Sequence, residues 1–156
     1  MKTYRSLLVA AALSLAATLT TFAANAHLGS WKLNEAKSKF SPGATKNHTV
    51  TYTEAKGDMI KLTVEGTDKD GKPVHWTWMG KFDGKAYKVK GTPMADMASY
   101  KVINDHTNEL TLMKDGKIVV TGMIKVAKDG NTRVVTTTMT DANGKKQTEK
   151  AYYTRQ

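Results

Sequence analysis

The chain has no cysteine in its 156 residues and only 3 prolines, and each scarcity excludes something. Without thiols there is no disulfide framework, no cysteine-held zinc or iron–sulfur centre, and no lipid-bearing cysteine behind a leader. Charged residues at 24% and hydrophobic ones at 40% exclude a disordered chain and a multi-span membrane protein. Catalytic signatures are also missing: the sequence holds no G-x-S-x-G, Walker loop, zinc spacing or paired-carboxylate constellation. With no nucleophile, base or metal set in view, the reading is a non-enzyme without cofactor or metal.

Helical periodicity is scarce too. No window repeats apolar residues at i, i+3, i+4 and i+7, and the best helical candidate is a single turn near Met94 to Ala98. In its place are two-residue turn signals: Asp70-Gly71, Asp83-Gly84, Asp115-Gly116, Asp129-Gly130 and Asn143-Gly144. Such pairs suit type I′ hairpins, whose two central residues both need positive φ. Between them, segments rich in Val, Ile, Thr, Tyr and Trp predict strands near 29–34, 47–55, 58–66, 73–82, 85–90, 97–104, 108–114, 117–127, 131–140 and 146–155. Ten sequential strands on short turns form an up-and-down antiparallel meander, and a meander this long is stable mainly by closing into a barrel.

Alternation assigns the faces. Ile118, Val120, Gly122, Ile124 and Val126 share one parity and are expected inside, with Val74, Trp76, Trp78 and Phe82 from another segment. Ile60, Leu62 and Val64 join them, as do Ala98, Tyr100 and Val102, Leu110 and Leu112, and Val50 and Tyr52. The outer face is then dominated by Thr and Lys, the reverse of what a lipid-spanning barrel requires.

Residues 1–26 stand apart from this pattern. Lys2 and Arg5 precede an apolar, Ala-rich run from Ser6 to Phe22, and Ala24-Asn25-Ala26 has the small residues of a cleavage site. This predicts a secretory signal peptide, a single domain over 27–156, and a periplasmic or extracellular location with no membrane insertion after cleavage. A thiol-free exported domain of this size points to a bacterial source. Cleavage would place His27 at the new N-terminus, where amine and imidazole could chelate copper with one of His48, His75 or His106.

Gly29-Ser30-Trp31 near the start and Tyr153-Thr154-Arg155 at the end carry a resemblance. This pairing is similar to the lipocalin and fatty-acid-binding (calycin) superfamily. There a Gly-x-Trp is capped by a late Arg or Lys, so the resemblance implies that Gly29, Trp31 and Arg155 close the barrel floor by cation–π packing. The stretch from "GSWKLNEAKSKFSPG" through the "DGK" hairpins to "GTPMAD" also resembles a group of small exported proteins of soil bacteria. Departures from the superfamily are equally visible: residues 35–46 are too short for a two-helix lid, and no His follows His106 to hold haem.

Tyr52, Trp76, Trp78 and Tyr100 are the candidate lining of a pocket for an apolar ligand. Beyond residue 26 only Arg133 and Arg155 are arginine. An inward Arg133 could clamp a ligand carboxylate, so the candidate partner is a small apolar or carboxylate-bearing molecule. Asp68-x-Asp70-Gly71 and Asp141-x-Asn143-Gly144 lack the twelfth-position Glu of a calcium loop and read as turns. The formal charge of +10 is carried mainly by Lys spread through most strands and turns, which argues against specific nucleic-acid recognition. It leaves open a second reading, a packed barrel acting through its basic surface on anionic envelope or extracellular polymers.

Overall fold

A computed structural model describes residues 25–140 and 144–156. Its strands are β1 (Gly29–Leu33), β2 (Lys46–Ala55), β3 (Met59–Thr67), β4 (Pro73–Gly80), β5 (Asp83–Lys90), β6 (Met97–Asn104), β7 (Thr107–Lys114), β8 (Lys117–Val126), β9 (Thr132–Thr140) and β10 (Lys146–Arg155). Each pairs antiparallel with its neighbour in sequence, and β1 pairs with β10, so the expected meander closes into a ten-stranded barrel without a free edge. Residues 1–24, most of the segment 1–26 expected to be a signal peptide, lie outside the described residues, as do residues 141–143.

The hairpins are less uniform than their sequence signals. Asp115-Gly116 takes φ of 50° and 73°, the two left-handed residues of a type I′ turn. At Asp70-Gly71 and Asp129-Gly130 only the glycine has positive φ. Asp68 organises the first of these, its carboxylate accepting from the Asp70 and Lys72 N–H groups at 2.9 Å each. Asp83-Gly84 is not a turn centre at all. The chain reverses at Lys81-Phe82, and Asp83-Gly84 becomes a bulge that opens β5, where the ladder shifts between Asp83 and Ala86. The reason is Phe82, which drops inward to stack on Trp78 at 6.2 Å between centroids. The helical turn expected near Met94 to Ala98 is also corrected. Those residues form bends and the start of β6, and the one 3-10 turn among the described residues is Glu35–Lys37, capped by Asn34.

The inward parity holds for Val50, Tyr52, Ile60, Leu62, Val64, Trp78, Ala98, Tyr100, Leu110, Val120, Ile124 and Val126, all buried. It fails at Ile118, 65% exposed, and Val102, 49% exposed. Both lie beside breaks in register. The β7–β8 ladder slips between Leu112 and Met113, so Val119 is an extra residue and Ile118 beyond it leaves the wall. The β6–β7 ladder slips just after Val102, at the last rung before the chain turns away.

Strand direction gives the barrel two different ends. One gathers residues 25–29, the turns after β2, β4, β6 and β8, and Arg155; the other gathers residues 34–45 and the turns after β3, β5 and β7. The first is closed. Trp31 is fully buried, the Arg155 guanidinium lies 4.3 Å from its ring centroid, and the two residues are paired across β1 and β10. Arg155 donates to the carbonyls of Gly130 (2.6 Å), Ala26 (2.8 Å) and Leu28, joining three segments under the tryptophan. Gly29 makes room for this: its φ is +102°, and a Cβ there would sit 2.7 Å from Arg155 Nη1. Gly29→Ala is therefore expected to destabilise the fold by about 1–3 kcal/mol, through left-handed strain and displacement of the guanidinium. Urea unfolding of the two proteins measures it; equal midpoints would contradict the close approach.

Candidate functional site

The inward side chains leave a cavity of about 280 Å³ between mid-barrel and the other end. Its walls are the apolar rows expected from alternation: Val50 and Tyr52 from β2, Leu62 and Val64 from β3, Tyr100 from β6, Val120 and Ile124 from β8. Thr92, Pro93, Met94 and Ala95, from the connection between β5 and β6, line it towards solvent. Segment 34–45, with Phe40 packed against the core, crosses the same end in place of a two-helix lid.

Of the predicted ligand-facing residues, Tyr52, Trp76, Tyr100 and Arg133 line this cavity. Trp78 is the correction, since it is absent from the lining and belongs to the wall. Its ring is 1% exposed, its Nε1 donates to the Ala98 carbonyl at 3.1 Å, and Tyr100, Tyr87 and Phe82 surround it at 4.7, 5.9 and 6.2 Å. The tight backing has a cause in the sheet. β4 and β5 share only two ladder rungs, Thr77 with Lys90 and Trp78 with Val89, and aromatic side chains fill what hydrogen bonds leave open there.

Arg133 is the polar centre of the interior. It is 2% exposed, with its guanidinium 4.7 Å from the Trp31 ring, 4.8 Å from Tyr153 and 5.2 Å from Tyr52. Three ring faces offset part of the cost of burying a permanent cation. Its Nε and Nη1 atoms have no hydrogen-bond partner, and no ion pair reaches it among the described residues. The Tyr153 and Tyr100 phenols stay neutral: burial pushes Tyr153 up to about 12 against the pull of Arg133, and burial raises Tyr100 well above its ordinary value. Tyr153 also donates to the Asn47 carbonyl at 3.0 Å, tying β10 to β2 across the interior.

Sequence reasoning missed three residues near the closed end. His27, expected to be a free terminal residue, is 2% exposed, with its carbonyl accepting from Trp31 Nε1 at 3.0 Å and its ring edge-on to Phe82. Asn108 is 1% exposed on the inner face of β7. It shares parity with Leu110 and Leu112, so a polar residue on an apolar row was the available signal. His106 gave none, lying in a turn without a motif, whereas Phe82 packs inward as its parity predicted. Of the three histidines considered as copper partners for His27, only His106 lies close enough to affect its titration. His48 bonds Thr67, and His75 pairs with Glu65 on the exposed face.

No known family's sequence profile matches the chain, and no curated protein matches it. Among solved structures, a variant of the fluorescent protein UnaG superposes with a TM-score of 0.55 at 17% identity, covering 83% of this chain and 95% of that one. The shared feature is the fold. Both are closed antiparallel β-barrels. A redesigned β-barrel, mFAP1, bound to DFHBI, is a weaker match with a TM-score of 0.42 at 15% identity, covering 84% of this chain and 95% of that one. The likeness to exported proteins of soil bacteria gains no support from these comparisons and stays a reading of sequence.

The closed end of the barrel gives its stability a pH dependence. His27 is lowered from 6.5 to about 4, chiefly by burial and then by Arg133, His106 and Arg155, all cationic or able to become so. The unfolded chain takes up this proton first as pH falls, so the stability that neutral His27 retains above pH 6.5 is lost progressively down to about pH 4. The linked loss is on the order of 2–3 kcal/mol. Unfolding free energies measured between pH 7 and pH 4 check it, and His27→Gln is expected to flatten the slope; an unchanged slope in the variant would assign it to other groups.

Proposed function

We propose that the chain is an exported, non-catalytic binding protein that takes a small apolar or amphipathic molecule into the barrel interior. The observation that carries this reading is the cavity of about 280 Å³, walled by Val, Leu and Ile with Tyr52, Trp76 and Tyr100 among them. A barrel serving only as a solid scaffold would fill that space, because protein interiors pack densely and an apolar void forfeits contacts. The volume lies at the lower edge of small-molecule pockets, which favours a compact or slender ligand. Arg133 gives the interior one polar terminus, so an amphipathic ligand with a carboxylate would have a partner there. Export rests on the sequence of residues 1–26, with its basic start, apolar run and small residues before His27.

The neutral probe N-phenyl-1-naphthylamine tests the reading. Saturable quenching of tryptophan emission is expected in the wild type. At least tenfold weaker binding is expected in Val135→Phe and Thr137→Phe, whose new rings would occupy the cavity that these residues line. Unchanged binding in both folded variants, or no saturation in the wild type, would move the function to the basic surface. N-terminal sequencing of the protein from a periplasmic extract tests export, with His27 expected first; that cleavage would remove the Arg155–Ala26 bond and keep those to Leu28 and Gly130.

A further inference from the structure

Nine buried side-chain polar atoms lack a hydrogen-bond partner among the described residues, and seven belong to four residues of the closed end. They are Nδ1 and Nε2 of His27, Nδ1 of His106, both amide atoms of Asn108, and Nε and Nη1 of Arg133. The sheet register brings these residues onto one patch of the inner wall. Arg133 stands opposite Val126, whose N–H donates to the His106 carbonyl at 2.8 Å. One rung further in, Asn108 stands opposite Ile124, which in turn stands opposite Val135. His27 closes the patch from below, near enough to feel the charge of both Arg133 and His106.

In charge the patch is one-sided, although Asn108 Oδ1 can only accept. It holds a permanent cation, an amide NH₂ and two imidazoles, each of which carries an N–H even when neutral. No ion pair to Arg133 exists among the described residues. Leaving a buried donor unsatisfied costs more than an ordinary hydrogen bond gains, and a buried guanidinium needs a counter-charge that aromatic faces only partly replace. A dication would meet two guanidiniums here, so charge disfavours copper and favours the opposite sign. We propose that the closed end of the barrel is an oxyanion site, in which Arg133 and Asn108 bind a carboxylate, phosphate or sulfate group and His27 and His106 flank it as further donors. The oxyanion is either a free ion or the head of a molecule whose body fills the cavity above. The first source does not depend on the interior-ligand reading; the second rests on it.

Thermal unfolding of the full chain at pH 7 and constant ionic strength separates these cases, with sodium phosphate, sulfate or acetate replacing chloride, and sodium dodecanoate added below its micellar concentration. A saturable rise in Tm of roughly 5 °C or more is expected with at least one oxyanion, because a ligand that binds the native state stabilises it by mass action. The rise is expected to disappear in Arg133→Met and in Asn108→Leu, and to persist in Lys61→Gln, which removes a surface charge of the general basic field. If phosphate and dodecanoate stabilise additively, a free ion occupies the site; if they compete, the site takes a head group. Should Arg133→Met fail to fold, Asn108→Leu alone decides. Equal Tm in every anion, or a rise that survives in the Asn108 variant, overturns the proposal. A positive phosphate response with no binding of N-phenyl-1-naphthylamine would leave this site standing while removing the interior-ligand function.

Discussion

The barrel depends on one stacked pair at its closed end. Arg155 lies under Trp31 and spends its donors on Ala26, Leu28 and Gly130, so one cation ties the approach to β1, the turn before β9 and the last residues of β10. Ladder pairing alone would be a weak seal there, because β1 has five residues and meets β10 at three rungs. The tryptophan supplies apolar burial and an electron-rich face, and the guanidinium supplies directional bonds without losing its charge. Gly29 matters only in this setting, as the residue whose missing Cβ lets the two approach.

The rest of the interior divides in two. Around Trp78 the aromatic rings pack tightly, and they do so where the hydrogen-bonded wall is thinnest, between β4 and β5. Towards the other end aliphatic rows, Trp76 and polar residues such as Asn47, Thr137 and Glu149 leave space. Arg133 stands near the boundary, lining the cavity while touching three rings. The electrostatics match this division. The Tyr100 and Tyr153 phenols stay protonated and His27 stays neutral, so the fixed charges near the floor are the guanidiniums of Arg133 and Arg155, and among the described residues no carboxylate pairs with Arg133.

The architecture was legible because its determinants are local. Turn dipeptides and period-two alternation do not need tertiary context, and they delimit strands such as β7 and β8 within a residue or so. The misreadings fall where a long-range contact overrides the local signal. Phe82 stacks on Trp78, and the turn falls before Asp83-Gly84 instead of at it. Bulges carry Ile118 out of its parity. In the site, Tyr52, Trp76, Tyr100 and Arg133 could be read from alternation. Nothing in the sequence separates a ring that lines a cavity from one that backs it, which is why Trp78 was grouped with them. His27 and His106 were illegible because segments without strand periodicity position them.

Closure by the first and last strands has a consequence for biosynthesis. The contacts that shut the cylinder join residues about 125 positions apart, as between Leu28 and Arg155. A growing polypeptide therefore cannot complete this topology until its final strand has left the ribosome. Until then the molecule is an unclosed ribbon with a vacant flank on each side. That delay is useful to any chain that must be threaded through a translocation pore before it folds, and it makes loss of even a few C-terminal residues far more damaging than their modest share of the mass suggests.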